Sequence, residues 1–153
     1  MSKVAADLSV VTSVGLDLAK HVFQVHAVDA SGKVIVARAL RRRELLPFFA
    51  SLPKCLVGME ACGSAHHWGR ELTALGHEVK LIPPAYVKPF VKRQKNDAND
   101  AAAIHETLGR PGLRFVKVHS IANQAVLMQH KVREMRVAQR TQLLNGLRGW
   151  PSR

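Results

Sequence analysis

The stretch "VVTSVGLDLAKHVFQVHAVDASGKVIVARAL", residues 10–40, decides the fold. β-branched and aliphatic residues fill three runs, 10–18, 21–28 and 34–40, and each reads as a strand. Ala19-Lys20 joins the first to the second. The link "DASGK" at 29–33 is a turn, with Gly32 able to take positive φ. Next, "RRRELLPFFASL" at 41–52 reads as a short helix with Leu45, Phe48 and Phe49 on one face. Pro47 must lie in its first turn, so the helix begins later than Arg41. "CLVGME" at 55–60 is a fourth strand, apolar enough for burial on both faces. "SAHHWGRELTALG" at 64–76 is a helix stopped by Gly76, and "HEVKLI" at 77–82 a fifth strand. Three strands followed by alternating helix and strand argue for an α/β fold with a mixed sheet and flanking helices.

A second helical group follows Pro83-Pro84 and ends near "GRPG" at 109–112. Residues 120–147 contain no proline, and Gly146 comes only near their end. There Ile121, Ala125, Met128, Val132 and Met135 recur at alternating steps of four and three, a heptad-like seam flanked by Lys131, Arg133, Arg136 and Arg140. A helix of that length measures roughly 40 Å. It either projects to pair with a partner helix or packs on its own domain. The organisation expected is therefore a sheet domain over 9–118 and a helical segment over 119–149.

The composition of the 153 residues, 47% hydrophobic and 22% charged, supports a buried core and excludes wholesale disorder. Twenty-three Lys and Arg against 11 Asp and Glu give a net charge of +12, which favours a polyanionic partner, nucleic acid ahead of an anionic membrane. Cys55 and Cys62 form no CxxC pair, as expected of a reducing cytoplasm. The N-terminal apolar run is broken by Asp7, Ser9, Thr12 and Ser13, and no stretch is long enough to span a bilayer. A soluble, cytoplasmic protein is expected.

Four acids carry the chemistry. Alternation in the first strand sets Val14, Leu16 and Leu18 on one face and Ser13, Gly15 and Asp17 on the other. An acid on so apolar a strand needs a partner or a job. Glu60 ends the fourth strand, at the carboxyl edge where α/β sheets gather ligands. Asp97 and Asp100 open a helix in "KRQKNDANDAAAIHE", at 92–106. They suit an N-cap and a capping-box N3 position, yet the i, i+3 spacing also puts both carboxylates on one side. Four converging carboxylates repel one another unless a hard cation sits among them, and Mg²⁺ or Mn²⁺ is the natural guest. Lys88, Lys92, Arg93 and Lys95, just before Asp97, are placed to hold phosphates. Cys62 with His66-His67 lacks the second ligand pair a zinc site needs. Leu18-Ala19-Lys20 after Asp17 lacks the glycine of a phosphate-cradling loop.

With "VGLDLAKHVFQVHAVD", "GMEACGSAHHWGRELTALGHEVKLIPP" and "KRQKNDANDAAAIHE", the chain resembles the DEDD transposases of bacterial insertion sequences of the 110 type, from about residue 11 to 149. The resemblance implies a RuvC-like domain on the ribonuclease H fold. Its metal-binding acids for DNA cleavage and joining fall on Asp17, Glu60, Asp97 and Asp100. It also implies a coiled-coil segment, a C-terminal domain with a nucleophilic serine, and an element-encoded guide RNA. This chain stops at "WPSR", so a truncated copy without the serine domain is expected. Two other readings stay open: a nucleic-acid-binding and dimerising remnant with idle acids, and a RuvC-type junction-resolving nuclease.

Overall fold

The computed structural model describes residues 6–87 and 97–149, without the side chains of 97 and 98. The described chain divides into two compact units, Met1–Val118 and His119–Arg153. The first is a five-stranded sheet with helices. Its strands are β1 (Val11–Leu18), β2 (Val22–Asp29), β3 (Val34–Arg41), β4 (Leu56–Glu60) and β5 (Glu78–Ile82). Its helices are α1 (Leu45–Ala50), α2 (Ala65–Ala74), α3 (Pro84–Val87) and α4 (Asp97–Leu108). The spatial order is β3-β2-β1-β4-β5. β1, β2 and β3 pair antiparallel, while β4 and β5 run parallel to β1. This is the expected mixed α/β sheet of RNase H-like type.

The turn after β2 closes as its residues dictate. Asp29 accepts hydrogen bonds from the backbone N–H groups of Ser31 and Lys33, and Gly32 takes φ +82°. A short 3₁₀ segment, Arg42–Glu44, precedes α1. Pro47 therefore sits in the first turn of a helix that starts at Leu45, where its missing N–H costs nothing. Gly76, at φ +93°, ends α2.

Register assigns every strand residue to a face. Val14 and Leu16 of β1 align with Ala27 and Val25 of β2 and with Val57 and Met59 of β4. All of them join one core with Leu45, Phe48 and Phe49 of α1 and Trp68 and Leu72 of α2. Burying each such side chain stabilises the fold by about 1.5–3 kcal/mol. Buried His77 ties this layer to the sheet: its Nδ1 accepts from the Cys55 N–H, and its Nε2 donates to the Phe49 carbonyl at 3.1 Å. The other face carries Ser13, Gly15, Asp17, Gln24, His26, Gly58 and Glu60 and is covered by α4. A smaller core there joins Ile82, Val87, Ala103, Ile104 and Leu108.

The second unit is α5 (Ile121–Arg148), whose N-cap Ser120 accepts from the Asn123 N–H. None of its residues is buried; Met128 is 63% and Met135 51% exposed. No described helix is long and apolar enough to cross a membrane.

Candidate metal site at the carboxyl end of the sheet

Asp17 and Glu60 lie on adjacent parallel strands. Gly15 aligns with Gly58 and Leu16 with Met59, so Asp17 and Glu60 follow one step later, on the same face and at the same end. Both are half-buried.

The path of α4 follows from two glycines. A Cβ at Gly15 would stand 2.2 Å from the Ala101 carbonyl oxygen and 2.8 Å from the His105 backbone nitrogen. One on Gly58 would meet Leu108 at 2.6 Å. Only residues without side chains let the helix lie this close to the sheet. Ala101 sits over Gly15, and His105 reaches Ser13, whose Oγ is 2.8 Å from its Nε2. α4 therefore runs antiparallel to β1, and its N-terminus points to the end of the sheet that holds Asp17 and Glu60. Asp100 stands one residue before Ala101, and Asp97 one turn earlier.

Asp100 carries the most telling local feature. Its Oδ1 is buried and has no hydrogen-bond partner among the described residues. A buried carboxylate oxygen left bare costs about 1–3 kcal/mol or more, so the position calls for a cation. Asp97 is the first helical residue rather than the residue before it, one position from the N-cap expected. Its side chain lies outside the described residues, as do Lys88, Lys92, Arg93 and Lys95. Among the described residues no three His, Cys, Asp or Glu side chains stand close enough to hold a metal ion. That holds equally for Cys62, whose Sγ lies 3.4 Å from the Ser64 Oγ.

Three residues behind the acids were not foreseen. His105 and His26 face each other across the α4–sheet gap, with ring centroids 5.7 Å apart. Burial pushes His26 below its usual value. Burial, and then the neighbouring His26, do the same to His105, against a smaller opposing pull from Glu106. Gly58 is the third. The signal for His105 was present in the text, since it falls eight residues after Asp97 and four after Ala101, on one helical face. Cys55 is no competing nucleophile, because burial pushes its thiol up to about 11.

Comparison with known proteins identifies a family. The family model for DEDD transposases of the IS110 type, described as a transposase, matches residues 14–150. A family 20 transposase of Pseudomonas aeruginosa is 55% identical over 136 residues, covering 89% of this chain and 40% of that protein. The transposase for insertion sequence element IS1328 of Yersinia enterocolitica is 41% identical over 88% of this chain and 40% of its own length. The transposase for IS1111A of Coxiella burnetii is 44% identical, with 88% and 37% covered. The chain thus spans about two fifths of the length of these relatives.

Proposed function

The chain belongs to the DEDD transposases of IS110-type insertion sequences, and from that premise we propose that it carries their metal-dependent DNA cleavage and joining site. Asp17, Glu60, Asp97 and Asp100 would hold Mg²⁺ or Mn²⁺. What supports this is the antiparallel run of α4, which points the helix end bearing Asp97 and Asp100 toward the strand ends bearing Asp17 and Glu60. The donor set is all oxygen, which suits a hard divalent cation. Bound there, such ions polarise a phosphodiester and lower the pKa of an attacking water or hydroxyl.

The protein's own contribution is positioning. β1 and β4 fix two carboxylates through their ladder, and the glycine contact fixes the helix bearing the other two. Lys88, Lys92, Arg93 and Lys95 would hold the backbone phosphates beside the acids, mainly without sequence preference. Duplex DNA is the partner, with an element-encoded RNA as a further one. The exposed seam of α5, from Ile121 to Met135, would pair two copies of the chain.

The test uses the full chain and Mn²⁺. Binding should broaden the Mn²⁺ resonance in electron paramagnetic resonance and raise the melting temperature, and Asp17→Asn should remove most of both effects. Nicking of branched DNA should require the same ion. One observation favours a second reading, a nucleic-acid-binding module with idle acids: no three-ligand group exists among the described residues. Equal Mn²⁺ binding by wild type and Asp17→Asn, with DNA still bound, would select it.

A further inference from the structure

The face of the sheet away from α4 carries a basic strip built differently from a solvated charge run. Arg38 aligns with Val25, and Trp68 packs on Phe23, so both belong to the α1–α2 side, opposite Asp17 and Glu60. The Arg38 guanidinium carbon lies 5.0 Å from the Phe48 ring centroid. That of Arg42 lies 5.2 Å from the Trp68 ring centroid. Arg43 follows Arg42 in the 3₁₀ turn, and these three arginines, Arg38, Arg42 and Arg43, are exposed. Arg41, next to buried Leu40 in β3, alternates to the other side of the sheet.

A guanidinium held over an aromatic ring spends its face on the ring and keeps its N–H edge for another acceptor. Among the described residues none of the three arginines of the strip makes an ion pair. The acid nearest in sequence, Glu44, accepts from the Arg41 backbone N–H at 2.8 Å. β3 is an edge strand, and charges there also discourage edge-to-edge pairing. That role needs neither three cations of one sign nor rings beneath two of them. From Arg38 to Arg42 the chain advances about 13 Å, over which one strand of a duplex presents about four phosphates.

We propose that Arg38, Arg42 and Arg43 form a second nucleic-acid contact, gripping the phosphate backbone of duplex DNA on the face opposite the acids. The choice of DNA rests on the proposed function, since joining two DNA segments requires both to be held at once. A contact on the opposite face would hold flanking duplex while the reacting groups meet at the acids. The stacked pair supplies pre-set donors whose side-chain freedom is already spent, so each phosphate contact costs less to order.

The experiment measures binding of the full chain to a random-sequence DNA duplex by fluorescence anisotropy across a salt series. EDTA is present throughout, so the acids contribute no metal bridge. Arg38→Gln with Arg42→Gln should lower the log–log salt slope by about 1.8, at about 0.9 for each phosphate no longer neutralised. Arg38→Lys with Arg42→Lys keeps the charges and should keep most of the slope. Because removing the stacked pair uncovers Phe48 and Trp68, Arg43→Gln serves as a second variant that leaves both rings covered. It too should lower the slope. Because EDTA removes any metal from the acids, failure of the metal reading leaves this result legible. Unchanged slopes in both Gln variants would overturn the proposal. So would an RNA duplex that binds the strip while the DNA duplex does not.

Discussion

Replacing Gly15 with alanine should be the most damaging single-methyl change in the sheet domain. The added Cβ would stand 2.2 Å from the Ala101 carbonyl oxygen, 2.8 Å from the His105 nitrogen and 2.9 Å from the His105 Cβ. Non-bonded carbon needs roughly 3.5 Å to its neighbours, so α4 must lift by about 1 Å. The first two contacts are backbone, and no rotamer change relieves them. Overpacking of this kind costs about 1–3 kcal/mol, occasionally more, and rigid neighbours place this site at the upper end. For a domain near this size about 3 kcal/mol lowers Tm by roughly 10–20 °C. The same lift would carry Asp97 and Asp100 away from Asp17 and Glu60, so Mn²⁺ should stabilise the variant far less than wild type. Gly58→Ala is the internal control. Its Cβ would meet the Leu108 side chain first, at 2.6 Å, and that side chain can swing aside for about 1 kcal/mol. Differential scanning fluorimetry with and without Mn²⁺ compares wild type with both variants. A Gly15→Ala chain melting within about 2 °C of wild type, a fraction of the shift expected, would refute the packing of α4 on β1 from which the site is built.

Asp100→Ala removes the bare buried Oδ1, so without metal it should be neutral or stabilising by up to about 1 kcal/mol, while abolishing most of the Mn²⁺ shift. Loss of stability in EDTA would make Asp100 a structural cap instead. The His26–His105 pair is held below the usual His range by burial, so the unfolded chain takes up protons below about pH 6.5 that the folded chain refuses. Stability should therefore fall as pH drops through about 6.5, and His26→Gln should flatten that fall in urea titrations. An identical slope in the variant would remove the pair from the account. Met128→Glu with Val132→Glu should lower the mass measured by light scattering, because the seam of α5 is exposed, without changing the Mn²⁺ shift. A wild type that stays monomeric at high concentration would contradict pairing through that seam.

The fold was legible because its signals are local. Alternation in β1, the Asp29–Gly32 turn, the late start forced by Pro47 and the stop at Gly76 each follow from a few neighbouring residues. The acids could be singled out as misfits, Asp17 on an apolar strand and Glu60 at a strand end. What tied them together could not be read the same way. The crossing of α4 depends on Gly15 and Gly58, which sit 43 residues apart and read separately as weak strand residues. Their meaning appears only when parallel pairing sets them side by side. The Arg38–Phe48 and Arg42–Trp68 stacks are long-range in the same way. His105 is intermediate: its helical phase was visible, but its partner Ser13 lies 92 residues away.

The central claim is that the acids share one divalent-metal site, and Mn²⁺ anomalous scattering from a soaked crystal tests it most directly. A peak within coordination distance of Asp17, Glu60 and Asp100, absent from the Asp17→Asn crystal, is the result predicted. A peak elsewhere, or no peak at millimolar Mn²⁺ with the three carboxylates ordered, would contradict the account.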